Sequence, residues 1–160
     1  MTGRVGMGFD VHPLSDDPGR PLVLGGVTFD GPGLVGHSDA DVIAHACADA
    51  LLGAAGLGDI GSHFPDTDDR FAGADSIELL RAVAAEVGAA GWRVANVDCS
   101  VVCDEPKIGP SRQRMQDRLS GAAGGPVTVK GKRPEGLGAL GRGEGIACWA
   151  VALLEREEQP

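Results

Sequence analysis

The segment RVGMGFDVH at residues 4–12 alternates strictly between two kinds of residue. One set is apolar, and the other consists of glycines followed by an acid and an imidazole: Val5, Met7, Phe9 and Val11 against Gly6, Gly8, Asp10 and His12. Because successive side chains of a strand point to opposite faces, this period of two predicts a β-strand. Any fold for this chain must therefore accommodate a strand with two very different faces.

The remaining pattern predicts an α+β domain that spans residues 1–160. Residues 21–29 predict a short strand or hairpin, and residues 146–157 are so apolar that they fit either a strand or a helix. Ser38 or Asp39 is expected to cap the first helix. The other predicted elements are helices at 41–55, 76–91 and 111–124 and strands at 92–104 and 126–132. The sum is about four core strands, a short hairpin and three helices.

The charge of the chain limits its partners. With 23 acidic and 14 basic residues, the formal net charge is −9, which argues against general binding to nucleic acid or a membrane surface, because both are polyanions. Four cations nevertheless gather in the glycine-rich stretch at 129–145: Lys130, Lys132, Arg133 and Arg142. This cluster fits a solvated turn, a phosphate cradle or a polyanion surface.

The sequence also bears on location and redox state. The N-terminus lacks the long apolar core of a signal peptide, and no run approaches the length of a membrane span, so a cytoplasmic location is expected. The four cysteines lie in apolar segments without CxxC spacing: Cys47, Cys99, Cys103 and Cys148. They are expected to be buried reduced thiols.

A metal site is indicated by the polar face of the first strand. Asp10 and His12 are two residues apart, so both side chains leave the same face of the strand. A carboxylate and an imidazole fill two positions of a catalytic Zn²⁺ site, which commonly takes three protein ligands. His45 on the first helix is the best third ligand, with Asp41 and Asp49 expected to orient its ring. Taken alone, Asp-x-His also fits an ordinary polar strand end.

Three other segments carry polar groups, and each has a plain structural alternative. Residues 37–45 surround a helix N-terminus, which suits phosphate oxygens but also fits simple capping. Residues 56–75 contain several aspartates that suit sugar hydroxyls or form a solvated acidic loop. Residues 103–111 fit a ligand-facing loop or a plain connection.

Taken together, these segments resemble the 2-C-methyl-D-erythritol 2,4-cyclodiphosphate synthase family over almost the whole chain. The resemblance rests on six motifs in order: GFDVHPL at 8–14, GHSDADVIAHACADALLGAAGLGDIG at 36–61, FPDTD at 64–68, NVD at 96–98, PKI at 106–108 and GRGEGIA at 141–147. It implies a ferredoxin-like two-layer sandwich that forms homotrimers with active sites at the subunit interfaces.

The resemblance also implies a reaction. The substrate would be 4-diphosphocytidyl-2-C-methyl-D-erythritol 2-phosphate, which is cyclised to 2-C-methyl-D-erythritol 2,4-cyclodiphosphate with release of CMP, in the methylerythritol phosphate pathway of isoprenoid biosynthesis. Zn²⁺ would be bound by Asp10, His12 and His45, and Glu135 would touch a second ion, Mg²⁺ or Mn²⁺. No nucleic acid or membrane partner is expected.

The same resemblance assigns a substrate site. His37 is carried over as a catalytic residue, and Lys107 would serve the cytidine diphosphate half. The implied substrate-binding residues are Asp10, His12, His37, Ser38, Asp59, Ile60, Gly61, Phe64, Pro65, Asp66, Thr67, Asp68, Cys103, Asp104, Glu105, Pro106, Lys107, Ile108, Gly109, Lys132, Arg133, Pro134, Glu135 and Arg142.

One departure from the family pattern affects catalysis. Threonines usually precede the acid that matches Glu135, whereas this chain has Lys132, Arg133 and Pro134. Arg133 is expected to replace the catalytic threonine, since a guanidinium can form two parallel hydrogen bonds with a phosphate. The alternative is a non-catalytic trimer that binds nucleotide or isoprenoid phosphates. Ala139 also stands where an aromatic residue often lines the central cavity of the trimer.

Overall fold

A four-stranded sheet with the strand order β1-β6-β4-β5 forms the centre of the computed structural model, which describes residues 3–156. The hairpin predicted at 21–29 pairs β2 with β3. The strands are β1 (Gly3–Pro13), β2 (Leu22–Leu24), β3 (Val27–Phe29), β4 (Trp92–Val102), β5 (Val127–Lys132) and β6 (Gly145–Arg156). Within residues 3–156 the four long strands and the short hairpin agree with the expectation.

The helices form a second layer on one face of this sheet. They are α1 (Val42–Ala55), α2 (Ile60–His63), α3 (Ser76–Ala89), α4 (Arg112–Ala123) and α5 (Gly138–Gly141). The three long helices were predicted. The four-residue helices α2 and α5 lie in stretches that the sequence reads as loops.

The start of α1 differs from the expectation. Asp41, and neither Ser38 nor Asp39, is the N-cap, and its carboxylate accepts from the N–H groups of Ile43 and Ala44. Ala40 has a left-handed φ of 58°, so the chain turns there and only the next residue is placed to cap the helix. The buried Asp41 carboxylate also accepts from two backbone N–H groups in the β2–β3 turn. One side chain therefore ties the hairpin to the helix.

The connectivity corrects the ferredoxin-like expectation. That fold runs β-α-β-β-α-β, but here α4 follows the second long strand and only the four-residue helix α5 separates the last two long strands. β4 and β5 are parallel neighbours, whereas β6 is antiparallel to both β1 and β4. Parallel neighbours need a crossover connection, and α4 supplies it. The ambiguous segment at 146–157 is the central strand β6, as far as residue 156.

The glycines of β1 allow α1 to lie directly on the sheet. A Cβ on Gly6 would stand 2.1 Å from the carbonyl oxygen of Ala50, and one on Gly8 would stand 2.0 Å from that of Ala46. No side chain fits in that space. Because Asp10 and His12 share the glycine face, they point toward the same helix.

The apolar face of β1 points away from the helices and is exposed. Met7 is 67% exposed, and Trp149 on β6, which is paired with Phe9, is 40% exposed. We call this surface the open sheet face: Val5, Met7, Phe9, Val11, Trp149 and Val151. It is a contiguous apolar surface of the kind that usually marks an interface.

The cysteine prediction is confirmed. All four cysteines are free and buried, and the sulfur atoms of Cys47 and Cys99 lie 3.2 Å apart between α1 and β4. Across residues 3–156, no helix is both long enough and apolar enough to cross a membrane.

Candidate active site

Asp10, His12 and His45 converge at the end of β1 beside α1. Asp10 Oδ2 lies 2.9 Å from His12 Nε2 and 3.0 Å from His45 Nδ1. The two ring nitrogens are 3.4 Å apart, and the side chains are partly buried. The fold thus assembles the three residues that strand and helix spacing predicted as a group.

The donor set fits a divalent metal ion. Burial by itself would raise the pKa of the Asp10 carboxyl, but hydrogen bonds from His12 and His45 outweigh it and hold that pKa well below its ordinary value. For His12, burial acts to lower the pKa, and the Asp10 hydrogen bond reverses this and raises it. An ionised carboxylate and two imidazoles, open to a cleft, match a zinc site with a free fourth position.

The second nitrogen of His12 fixes the tautomer of this ring. Nδ1 lies 2.7 Å from the carbonyl oxygen of Val35, and a carbonyl can only accept. Nδ1 therefore carries a proton, and Nε2 is the nitrogen that would give its lone pair to a bound ion in place of its hydrogen bond to Asp10.

The expected orientation of His45 by Asp41 and Asp49 is wrong. Asp41 accepts only backbone N–H groups, at the helix start and in the hairpin turn. Asp49 accepts from the N–H of Ile60. Neither carboxylate hydrogen-bonds to the ring. Asp41 is occupied as the N-cap of α1, and Asp49 is occupied by the first residue of α2. Instead, His45 Nε2 lies 2.8 Å from Ser76 Oγ.

A cleft of about 440 Å³ contains the three residues. Seven other predicted substrate residues line it: His37, Ser38, Ile60, Gly61, Phe64, Pro65 and Asp66. His37 Nε2 lies 2.9 Å from the carbonyl oxygen of Asp68, so its Nδ1 is the nitrogen left for the cleft. Sequence reasoning missed Phe71 and Leu79, because apolar residues of a loop and a helix carry no signal for a site.

A second cleft, of about 390 Å³, holds most of the other predicted residues. Its lining includes Cys103, Asp104, Pro106, Lys107, Ile108, Gly109, Lys132 and Arg133. Lys107 Nζ donates to the carbonyl oxygen of Asp104 at 2.7 Å. Arg112, which sequence reasoning did not select, lines this cleft as well.

The last seven predicted residues line neither cleft: Asp59, Thr67, Asp68, Glu105, Pro134, Glu135 and Arg142. Asp59 caps α2, and Asp68 pairs with Arg70 at 2.6 Å. Arg142 pairs with Glu144 at 2.5 Å. Glu135 is exposed, with a left-handed φ of 53°. Within residues 3–156 of one chain, Glu135 is thus not part of the group around Asp10.

Curated relatives match this chain closely. A 2-C-methyl-D-erythritol 2,4-cyclodiphosphate synthase of Bordetella avium is 58% identical over 158 residues, which cover 96% of this chain and 96% of that protein. A bifunctional IspD/IspF enzyme of an Anaeromyxobacter species is 56% identical over 155 residues, 95% of this chain. The chain spans 40% of the length of that bifunctional relative.

Solved structures share the fold. The bifunctional IspDF of Campylobacter jejuni superimposes with a TM-score of 0.92 at 40% identity, covering 98% of this chain and 43% of that one. IspF of Plasmodium falciparum in a complex with CDP gives a TM-score of 0.84 at 32% identity, covering 98% and 97% of the two chains. A family model described as the YgbB family matches residues 3–155. Because the family model and the named relatives agree, this chain belongs to the YgbB family, which is the family of the 2-C-methyl-D-erythritol 2,4-cyclodiphosphate synthases.

Proposed function

We propose that residues 1–160 act as one catalytic domain that converts 4-diphosphocytidyl-2-C-methyl-D-erythritol 2-phosphate to 2-C-methyl-D-erythritol 2,4-cyclodiphosphate and CMP. The observation that carries this proposal is the convergence of Asp10, His12 and His45 in a cleft lined by the family's substrate motifs. The names of full-length relatives support it. Phosphorus NMR of the purified protein with substrate, Zn²⁺ and Mg²⁺ tests it, and absence of both products would rule it out.

The chemistry requires positioning more than proton transfer. An oxygen of the 2-phosphate attacks the diphosphate phosphorus nearer the erythritol, and the bond from that phosphorus to the bridging oxygen breaks, so that CMP leaves with that oxygen. A phosphate is already ionised near neutral pH and needs no strong general base. The protein must hold the reacting groups in line and offset their charge.

Asp10, His12 and His45 would hold Zn²⁺, and Glu135 would contact Mg²⁺ or Mn²⁺. Bound ions of this kind polarise phosphoryl oxygens and neutralise developing charge. His37 and Ser38 line the cleft next to the zinc ligands and would bind phosphate and erythritol oxygens. Residues 64–68 would close over the substrate, and residues 103–109 would hold the cytosine.

Two separate clefts on one chain support an assembly in which a neighbouring subunit completes each site. Glu135 and the second cleft lie apart from Asp10 and its partners within one chain. The open sheet face offers the apolar surface for such an assembly, with the rings of Phe9 and Trp149 packed 4.8 Å apart at its centre. We infer a homotrimer in which the second cleft of one subunit faces the zinc ligands of the next.

Trp149→Glu should dissociate this assembly. A carboxylate on the open sheet face would be desolvated at the interface, at a cost of several kcal/mol. Sedimentation equilibrium should then give the mass of a single chain, with turnover lost. Gln113→Glu, which adds the same charge on exposed α4, should leave the mass unchanged. A trimeric and fully active Trp149→Glu protein would contradict the proposed interface.

Arg133 is the proposed replacement for the catalytic threonine. Its side chain is exposed and lines the second cleft together with Lys132 and Arg112, whereas Pro134 is buried and anchors the loop. With Lys107, four cations around this cleft supply local positive charge on an acidic chain. This placement suits the phosphates of a cytidine diphosphate group. The non-catalytic alternative is not proposed, because the zinc ligands are intact and the full-length relatives are named as synthases.

Arg133→Ala should lower kcat about 100-fold, the effect of removing one donor that stabilises transition-state charge. Phosphorus NMR of product formation measures it. Arg114→Ala removes an exposed cation of α4 that lines neither cleft, and it should keep kcat within about twofold. Equal rates in the two variants would show that Arg133 does not take over the role of the threonine.

A further inference from the structure

His45 directs its two ring nitrogens to different partners. Nδ1 faces Asp10 Oδ2 at 3.0 Å. Nε2 lies 2.8 Å from Ser76 Oγ and 3.1 Å from Ser38 Oγ. The Ser76 hydroxyl in turn makes a short hydrogen bond to Asp39 Oδ1. Ser76 is 1% exposed, so water does not compete for its hydroxyl.

The chemistry of these groups fixes the direction of the hydrogen bonds that link Asp39, Ser76 and His45. Both oxygens of the Asp39 carboxylate already accept from backbone N–H groups, and the Ser76 hydroxyl donates to Oδ1 as well. A lone pair of Ser76 Oγ then accepts the proton on Nε2 of His45. Nδ1, which faces Asp10, is then the ring nitrogen left to bind an ion.

Asp39 is itself held in place by the backbone. Its Oδ2 accepts from the N–H of Ser76 at 3.2 Å, and its Oδ1 accepts from the N–H of Asp41 at 3.1 Å. Asp39 therefore joins the first turn of α3 to the start of α1. Docking of α3 against α1 thus determines where the hydroxyl of Ser76 lies.

We propose that Ser76 and Asp39 are positioning residues for the metal ligand His45. The series Asp39–Ser76–His45, which we call the serine relay, selects the Nε2–H tautomer and fixes the ring plane, so that Nδ1 is ready to bind the ion. Ligands oriented in this way bind metal more tightly, because less ordering remains to be done on binding. The proposal rests on the proposed function only in that Asp10, His12 and His45 hold the metal; turnover plays no part in it.

Ser76→Ala should lower the affinity for Zn²⁺ about 10- to 100-fold, measured by competition with a chromophoric chelator. The visible absorption of the Co²⁺-loaded protein should shift as well, because the His45 ring is less constrained. Asp75→Ala is the matched control. It removes the side-chain cap of the same helix, which accepts from the N–H of Ile77, without touching His45. It should lower the melting temperature and leave Zn²⁺ affinity within about twofold, as expected for a helix cap.

Two further variants separate the relay from a general loss of structure. Ser76→Thr keeps the hydroxyl and should retain most of the affinity. Asp39→Asn removes the charge that orients Ser76 and should cost about tenfold in affinity, within the range for outer groups of metal sites. Zn²⁺ affinity and a Co²⁺ spectrum unchanged in both Ser76→Ala and Asp39→Asn would overturn the relay alone. Absence of Zn²⁺ binding by the unmodified protein would overturn the metal site and the relay together.

Discussion

Replacing His45 with alanine should remove bound zinc and lower turnover by about a thousandfold or more, since several kcal/mol of charge stabilisation at the phosphoryl group are lost with the ion. His45 is the only ligand of the three that comes from α1, and the other two, Asp10 and His12, are neighbours on one strand. Catalytic zinc sites commonly take three protein ligands, so the two that remain on β1 would be too few. Elemental analysis of metal per chain and phosphorus NMR of product formation measure the two effects.

His63→Ala is the matched control for this loss. His63 pairs with Glu86 at 3.0 Å and lines neither cleft, so its replacement should leave the zinc content unchanged. If His45→Ala kept both its metal and its rate, the cleft around Asp10 would not be the active site. A protein that lost metal but kept its rate would show that zinc is not needed for cyclisation.

Gly8→Ala should destabilise the fold by about 3 kcal/mol or more, at the upper end of what overpacking costs. The added Cβ would lie 2.0 Å from the carbonyl oxygen of Ala46 and 2.7 Å from the backbone nitrogen of Ala50. Backbone atoms cannot rotate away as a side chain can, so α1 must shift off the strand. Denaturant unfolding at fixed protein concentration measures the change.

Gly121→Ala provides the contrast within the same chain. This glycine lies in α4, and a Cβ there would meet no atom within 4 Å. Alanine in that helix should therefore raise stability by roughly 0.5–1 kcal/mol. If Gly8→Ala unfolded at the same denaturant concentration as the unmodified protein, the close contact between α1 and β1 would be wrong.

The sequence predicted the three residues of the candidate metal site because each lies on an element with a clear period. Asp10 and His12 lie within the alternating strand β1, and His45 lies in a helix with apolar residues at helical spacing. Ser76 was not found, because a serine at a helix start is typical of simple capping. The Ser76 hydroxyl reaches His45 only because α3 packs beside residue 39. Packing between distant segments cannot be predicted from the local sequence.

The order of the strands in the sheet likewise could not be predicted from local sequence patterns. Periodicity identifies strands, but which strands become neighbours depends on contacts between distant segments, so the parallel pairing of β4 with β5 was not foreseen. Alternation in β1 indicated two faces without indicating which one is buried. The glycine face of β1 is buried because the backbone of α1 packs directly against Gly6 and Gly8. A hydrophobicity scale for side chains does not predict burial of this kind.

As the proposed subunit interface, the open sheet face would make folding and assembly respond to dilution. A monomer with six apolar side chains exposed on one face would gain stability by binding its own copies there, in the same way that a protein is stabilised by a ligand that binds only the native state. The amount of enzyme in a cell would then set the fraction of chains that hold a complete site as well as the number of sites. At low expression, total activity would fall more steeply than the concentration of chains.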